Sequence, residues 1–297
     1  MSLLTRLAGM AAAVLVAACS GTATAALLVY EPFDYPAGTV LNGTAANGLN
    51  LTGIYEPTDT FDAAKIVVSS PGLDYGNLSG VPAARGNRAN DVNPATTAIA
   101  TVSVDNDVLV GPGDSIYWSA LFTLDDSSNL NHRANITFRN DNGDELGFGE
   151  PTVGGRAIRV EANTAATGEL IADGADQSFI DGQTLLLLGR YINSAADNGD
   201  RLDLIGYNTA DSHPLPLSFQ PTDPNAEFAY ELEDLNIDFE KITSITFTIR
   251  GSGNNFIDEL RIGSTYGAVV PEPAAPALLL VAGCVAGVLR AWRRNAR

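Results

Sequence analysis

Alternation of apolar and polar residues runs through the middle of the chain and predicts β-strands. In residues 116–124 the apolar side chains Ile116, Trp118, Ala120, Phe122 and Leu124 recur at every second position, so they share one face of a strand. Residues 245–250 alternate in the same way. Shorter segments of the same kind lie at 134–139, 156–162 and 201–207.

A continuous apolar run from Leu185 to Leu188 is typical of a strand that is covered on both faces. Between these segments the chain has turns rich in Asn, Asp and Gly, which accept positive φ and close hairpins, at 141–144, 181–182 and 197–200. Only the apolar ends approach a helical period over twelve or more residues. About a dozen short strands in one unit predict an all-β fold, an antiparallel two-sheet sandwich.

The amino-terminal segment predicts export. Residues 1–25 have a basic residue, an apolar run and then small residues, which is the pattern of a secretory signal peptide. The expected cleavage falls between Ala25 and Ala26. An alternative is cleavage before Cys19, which follows a lipobox-like sequence and would be acylated.

The carboxyl-terminal segment, residues 269–297, predicts a single short membrane helix. Its apolar stretch from Ala274 to Leu289 would span roughly 24 Å as a helix, which is short for a hydrocarbon core of about 30 Å. The arginines that follow would remain on the cytoplasmic side. An ordinary membrane anchor with a proline-rich stem is therefore one interpretation of this tail.

The order of features in the tail resembles the PEP-CTERM sorting signal of Gram-negative bacteria. A Val-Pro-Glu-Pro motif precedes the apolar helix, and an arginine cluster closes the chain. The residues that match are Val270, Pro271, Glu272, Pro273, Arg290, Arg293 and Arg294. The resemblance implies transient anchoring in the inner membrane, cleavage by an exosortase-type enzyme, and a final location at the cell surface or outside the cell.

Charge and cysteine content exclude several classes of protein. The 297-residue chain has 17 Lys and Arg against 35 Asp and Glu, a net charge of −18, which argues against a nucleic-acid partner. The two ends hold five arginines and one glutamate, so the body between them is more acidic still. Both cysteines, Cys19 and Cys284, also lie in the ends. The body therefore has no disulfide, no thiol nucleophile and no thiolate metal site.

The body, residues 26–268, is similar to the laminin-G/concanavalin-A-like jelly rolls found in PEP-CTERM proteins. The similarity lies in the opening segment 29–39, in 184–190 followed by 203–205, and in the closing segment 256–263. It implies that the last strand pairs beside the first. It also implies an extracellular sandwich that is often associated with glycans.

Candidate catalytic groups are few. Glycoside hydrolysis needs two carboxylates on one face, and the nearest pair, Glu231 and Glu233, lies in an acidic segment that is more typical of a solvated connection. Glu145 and Glu150 would lie on opposite faces of a regular strand. The two histidines, His132 and His213, have loop-like surroundings, and no Gly-x-Ser-x-Gly motif is present. These features predict a protein without enzymatic activity.

Calcium is the one cofactor that the sequence leaves open, because several loops offer the hard oxygen ligands it prefers. No EF-hand pattern is present, and a turn-forming role for the same residues is the simpler interpretation. Asp258 alternates with Phe256, Leu260 and Ile262, so a partly inward carboxylate there must be hydrogen-bonded or paired. The candidate ligands are Asp141, Asp144, Asp197, Asp200 and Asp258.

Taken together, the sequence predicts an exported, surface-sorted, non-catalytic sandwich associated with exopolysaccharide or a biofilm matrix. A lectin-like module with a defined glycan site, with or without calcium, is the first alternative. A polysaccharide hydrolase or lyase is the second. Tyrosines available for stacking on sugars are Tyr30, Tyr35, Tyr55, Tyr75 and Tyr117.

Overall fold

The structure is a computed structural model. The residues it describes are 26–57, 65–78, 86–91, 97–124, 133–150, 158–165, 170–173, 183–195, 199–235, 237, 239–250 and 255–270. The predicted signal peptide with Cys19, and the tail beyond Val270, lie outside these ranges. Within them, no helix is long and apolar enough to cross a membrane.

The described part of the chain forms fifteen strands and one short helix. In chain order these are β1 (Leu27–Glu31), β2 (Leu51–Glu56), β3 (Ile66–Ser69), β4 (Arg88–Asp91), β5 (Thr97–Leu109), β6 (Ser115–Thr123), β7 (Arg133–Arg139), β8 (Glu145–Glu150), β9 (Arg159–Asn163), β10 (Leu170–Asp173), β11 (Thr184–Ile192), β12 (Asp200–Asn208), β13 (Phe228–Leu235), β14 (Lys241–Arg250), β15 (Phe256–Gly263) and α1 (Tyr266–Val269).

The strands form two sheets. The eight-stranded sheet has the order β13-β12-β11-β6-β15-β4-β3, with β1 also paired to β15, and the seven-stranded sheet has the order β10-β9-β8-β7-β14-β5-β2. All pairs of these strands are antiparallel. The predicted antiparallel two-sheet sandwich is therefore confirmed. The first strand does pair with the last, Tyr30 opposite Arg261.

A core of aromatic and branched side chains fills the space between the sheets. The five apolar residues that alternate from Ile116 to Leu124 all lie in this core, as the alternation predicts. At its centre the Trp118 indole packs edge-on against Phe138, with ring centroids 5.5 Å apart, and Phe148 lies 5.6 Å from the same indole. Large aromatic rings in such contact stabilise the packing of one sheet on the other.

Strand β11 is buried on both faces, as its continuous apolar run predicts. Leu185 and Leu187 point into the core between the sheets. Leu186 and Leu188 belong to a second apolar cluster on the outer side of the eight-stranded sheet. We call this the outer cluster; its buried members are Leu73, Tyr75, Leu78, Leu121, Leu186, Leu188, Ile205, Tyr207, Phe256 and Tyr266.

The last strand departs from regular alternation. The pairing of β15 with β6 shifts between Asp258 and Arg261, and Glu259 lies at φ +54°, which marks a β-bulge. Phe256 faces the outer cluster, whereas Leu260 and Ile262, beyond the bulge, face the core. The prediction that Asp258 shares a face with Leu260 and Ile262 is therefore wrong, because the extra residue inverts the alternation.

Candidate binding surface

The outer faces of the two sheets differ in chemistry. The eight-stranded sheet is covered by the outer cluster, to which the loop around Leu73 and Tyr75 and the helix residue Tyr266 contribute. The seven-stranded sheet presents mostly polar side chains on its outer side. Polar groups available for hydrogen bonding therefore lie on the outer side of the seven-stranded sheet.

Strand register places these polar side chains in rows. We call the set the polar face; its members are Thr97, Ile99, Thr101, Ser103, Arg133, Asn135, Thr137, Arg139, Glu145, Gly147, Gly149, Arg159, Glu161, Asn163, Ser244, Thr246, Thr248 and Arg250. Their neighbours along each strand point into the core, as Ile136 and Phe247 do. None of these described members is aromatic, so they offer no ring on which a sugar could stack.

Two glycines open a trough in the polar face along β8. Asn135 and Arg159 are the cross-strand partners of Gly149, while Thr137 and Glu161 are those of Gly147. Because glycine has no side chain, the floor between β7 and β9 is low. Only glycine suits position 149, where φ is +114° and a Cβ would clash with the Ala134 carbonyl. We call this depression the β8 trough.

Polar atoms along the trough are buried without a partner. Asn135 is only 8% exposed, and its amide nitrogen donates to Thr137 Oγ1 at 3.3 Å while its Oδ1 accepts no hydrogen bond. Glu161 Oε1 and Asn163 Oδ1 are likewise buried and unpaired. Burial raises the pKa of the Glu161 carboxyl, an effect that Arg159 opposes and Glu145 reinforces.

Unpaired buried acceptors are uncommon in native proteins because each one forgoes a hydrogen bond that water would supply. An array of such acceptors on one surface suits a ligand that brings hydroxyl or N–H donors. Sugars are ligands of this kind. The sequence contained a signal for this surface, namely the polar members of the alternating segments 134–139 and 156–162, but the strand register was needed to bring them together.

Two of the candidate calcium ligands hold turns through hydrogen bonds within the protein. Asp144 Oδ1 accepts from the Ala165 amide at 2.9 Å, and its Oδ2 accepts from the Asn140 side chain at 3.0 Å. Asp200 Oδ2 accepts from the Tyr191 hydroxyl at 2.8 Å, and its Oδ1 accepts from the Ser194 amide at 2.7 Å.

The remaining calcium candidates are Asp141, Asp197 and Asp258. Asp141 forms a salt bridge with Lys241 at the surface, and Asp197 lies outside the described residues. Asp258 is fully buried. Among the described residues, no group of three or more Asp, Glu, His or Cys side chains could hold a metal ion.

Asp258 belongs to a buried group of carboxylates at the junction of β1 and β15 that the sequence did not predict. Its Oδ2 accepts from the Leu73 amide at 2.7 Å, which attaches the loop before β4 to the last strand. Glu259 accepts from the Tyr30 hydroxyl at 2.9 Å and from Arg261 at 3.0 Å. Glu31 accepts from the Phe33 amide at 2.6 Å and from the Tyr55 hydroxyl.

Burial governs the electrostatics of this group. Burial raises the pKa of Asp258 to about 9, although the hydrogen bond from the Leu73 amide lowers it. Burial also raises the pKa of Glu31 to about 7, although the hydrogen bond from Tyr55 lowers it. All three carboxylates are inaccessible to solvent. Their position between strands and their many internal donors indicate a structural role.

Three of the five candidate stacking tyrosines are buried. Tyr35, Tyr55 and Tyr75 lie in the interior, and Tyr35 and Tyr55 pack edge-on with centroids 6.2 Å apart. Tyr117 packs against Phe219 on the eight-stranded sheet, at 6.0 Å. Tyr30 supports Arg261 through a cation–π contact of 4.8 Å. These rings stabilise the fold.

The paired carboxylates Glu231 and Glu233 lie on β13, an edge strand, where the sequence predicted a solvated connection. That expectation is corrected, because Phe228, Tyr230 and Leu235 are buried on the other side of the strand. Both glutamates form salt bridges with Arg201, at 2.7 Å and 3.2 Å. The charges of both glutamates are thus paired with the same arginine.

His213 differs from the expected exposed loop histidine. It is half-buried beside Tyr207, with ring centroids 5.4 Å apart, and both ring nitrogens lack a partner. His132 lies outside the described residues, as do the cleavage residue Ala25, the lipidation candidate Cys19 and all of the sorting motif except Val270.

No protein-family model matches the chain, and no curated protein matches it. Among solved structures it is similar to the binding domain of botulinum neurotoxin serotype D, with a TM-score of 0.39 and 12% identity over 80% of this chain and 47% of that one. It thus spans about half of that structure. A legume lectin-like domain from Entamoeba histolytica gives a TM-score of 0.39 and 12% identity, and the match covers 60% of this chain and 84% of that one. The lectin from Bauhinia forficata in complex with GalNAc gives a TM-score of 0.40 and 10% identity, and the match covers 82% of this chain and 99% of that one. Likeness at this level assigns neither a ligand nor a site to this chain.

Proposed function

We propose that this chain is an exported, non-catalytic β-sandwich that binds an extracellular polysaccharide through the β8 trough. The observation that supports the proposal is the set of buried acceptors without donors at Asn135, Glu161 and Asn163. Sugar hydroxyl groups would donate to these oxygens and satisfy them. The sorting signal that the tail resembles would deliver the protein to the surface, where such polymers occur.

The absence of aromatic rings from the polar face defines the mode of binding. Without stacking, affinity must come from several hydrogen bonds to consecutive sugar units along the trough. This mode suits a long polymer better than a monosaccharide, because each unit adds contacts without a deep pocket.

The test is calorimetric titration of the full-length chain with a panel of polysaccharides, with and without Ca²⁺. Gly147→Val should abolish binding while the protein stays folded, because a Cβ at this position meets its neighbours at an ordinary 3.6–3.8 Å and the larger side chain fills the trough. Valine also suits a strand.

Ser103→Val is the matched control, since Ser103 lies exposed on β5, away from the trough. It should bind like the wild type. Equal binding by Gly147→Val and the wild type would contradict the proposal, as would a panel in which no polymer binds. A calcium-assisted form of the function stays a prediction, and dependence of the titration on Ca²⁺ would support it.

One observation favours an enzymatic alternative. Glu145 and Glu161 both lie on the polar face as diagonal cross-strand neighbours, a relation that places their Cα atoms roughly 7–8 Å apart. Inverting glycosidases separate their carboxyl groups by about 6.5–9.5 Å. The salt bridge of Glu145 with Arg139 holds that carboxylate in a structural contact. Release of reducing ends from a bound polymer, lost in Glu161→Gln, would establish hydrolysis; binding without release supports the non-catalytic function.

A further inference from the structure

Two arginines face each other at one end of the polar face. Arg133 at the start of β7 is the direct cross-strand partner of Arg250 at the end of β14. Both side chains are half-buried. Each lies two residues from the row that contains Asn135 and Thr248, so the pair borders the β8 trough. We call it the arginine pair.

Among the described residues, neither arginine of the pair forms a salt bridge with a carboxylate. The Nε atoms of both are buried without an acceptor, and within the described ranges neither residue forms a salt bridge. Other described arginines do form one: Arg139 with Glu145, Arg190 with Asp203, and Arg261 with Glu259. Four described arginines, Arg88, Arg133, Arg159 and Arg250, form no salt bridge with a described residue, although the chain has about twice as many acidic as basic residues. Of these four, only Arg133 and Arg250 are direct cross-strand partners of each other in the described strands.

The arrangement is unfavourable in the free protein. Like charges directly opposite one another destabilise a strand pair. Burial and the neighbouring Arg250 both lower the pKa of Arg133, while the buried carboxylate of Glu150 raises it. Two half-buried guanidinium groups whose Nε atoms lack an acceptor are suited to bind an anion, because their planar forks match carboxylate and sulfate oxygens.

We infer that the polysaccharide bound in the β8 trough is acidic, with a carboxylate or sulfate group of one sugar unit held between Arg133 and Arg250. The inference rests on the proposed function and specifies its ligand. The neutral hydroxyl groups of the next unit would then reach the row of Asn135. Arg159, at the opposite side of the trough, adds a third positive charge without a salt bridge in the described part of the chain.

The net charge of the protein makes the binding dependent on salt in a characteristic way. At 0.01 M salt the Debye length is about 30 Å, so the many acidic residues of the whole chain repel a polyanion. At 0.15 M it is about 8 Å, and only nearby groups such as the arginine pair act on the ligand. Affinity for an acidic polymer should therefore rise from low to moderate salt before it falls.

The experiment titrates the full-length chain with four probes in 0.15 M salt. These are polygalacturonate, the same polymer with its carboxyl groups reduced to alcohols, dextran sulfate, and neutral dextran as the reference for dextran sulfate. Acidic probes should bind at least tenfold more tightly than their neutral counterparts. The polygalacturonate and dextran sulfate arms distinguish a carboxylate from a sulfate ligand.

Variants connect the effect to the pair. Arg133→Gln and Arg250→Gln should each weaken binding of the acidic probe about tenfold, the size expected for a charge-assisted hydrogen bond, and leave the neutral probe unaffected. Arg133→Lys keeps the charge and should restore part of the affinity. Arg139→Gln is the matched control, because Arg139 lies on the same face but already pairs with Glu145. Unfolding midpoints of all variants establish that they are folded.

Equal affinity for acidic and reduced polymers would overturn the inference and leave the proposed function standing. Loss of affinity in Arg139→Gln equal to that in Arg133→Gln would also overturn it, since a general charge effect would then suffice. If no probe of either kind binds, the proposed function fails as well.

Discussion

The Glu31 carboxyl group, at the end of β1, lies in the interior beside Tyr55 of β2. Its two oxygens accept from the Phe33 amide and the Tyr55 hydroxyl, and Tyr55 in turn lies 3.5 Å from the Tyr35 hydroxyl. Burial is the larger influence and favours the protonated acid, with a pKa of about 7. Near neutral pH this residue therefore changes between a neutral donor and an unfavourably buried anion.

The sign of the pH dependence follows from this raised pKa. Between the ordinary value of 4.5 and about 7 the folded state binds more protons at Glu31 than the unfolded state does, so the free energy of unfolding falls as pH rises through that window. Asp258, with an ordinary value of 3.8 and a folded value of about 9, extends the decline to higher pH.

Glu31→Gln should flatten the part of this decline below pH 7. The amide reproduces the protonated acid: its oxygen accepts from Phe33 and its nitrogen donates to Tyr55. We expect the variant to match the wild type near pH 4.5 and to exceed it in stability at pH 8, measured by urea denaturation across the range. Glu31→Ala, which leaves the Phe33 amide and Tyr55 unpaired, should be less stable at both values. A wild type whose stability rises from pH 4.5 to 7 would contradict the assignment.

Single buried residues were the hardest feature to predict from the sequence. Tyr30 and Glu259 form a hydrogen bond although they are 229 positions apart in the sequence. Nothing local to either residue indicates this contact. Asp258 was recognised as an inward carboxylate in need of a partner, yet the Leu73 amide that supplies it lies 185 positions away. Local patterns carry no information on such distant pairs.

At the scale of elements, alternation predicted the strands well because burial of one face is a local property. The segment 256–263 was delimited correctly, and 116–124 differs by one residue at each end from β6. The bulge at Glu259 was not predictable, because its positive φ depends on the contacts with Tyr30 and Arg261. The polar face likewise depends on register, which joins β7, β8 and β9.

Strands β6 and β11 meet at a contact that should tolerate no added atom. Gly189 is the cross-strand partner of Trp118, and a Cβ at Gly189 would overlap the indole ring. The indole is held by Phe138 and Phe148 and cannot move away. We expect Gly189→Ala to destabilise the protein by about 1–3 kcal/mol, measured by denaturant unfolding.

Gly267 offers the matched control for this substitution. It is exposed in α1, and a Cβ there would meet nothing within 4 Å. Gly267→Ala should stabilise the protein by about 0.4–1 kcal/mol, because alanine restricts the unfolded chain without strain in the folded one. Equal effects of the two substitutions would show that packing on Trp118 is not the cause.

For the molecule as a whole, stability must come from the two apolar clusters. Both cysteines lie in the terminal segments, at positions 19 and 284. We expect the thermal unfolding midpoint of the full-length chain to be unchanged, within about 1 °C, when dithiothreitol is added; a midpoint shift of 1 °C corresponds to a small fraction of a kcal/mol for a domain of this size. A clear fall in the midpoint would indicate a covalent bond that involves the ends.

The place of the last two strands determines when this protein can fold. Strand β14 lies between β7 and β5 inside the seven-stranded sheet, and β15 lies between β6 and β4 inside the eight-stranded sheet. Neither sheet can be completed until residues 241–263 have emerged from the ribosome, however early the first strands are made. Such long-range pairing is slow. The native pairing of both sheets can therefore form only after the last of these strands has been synthesised.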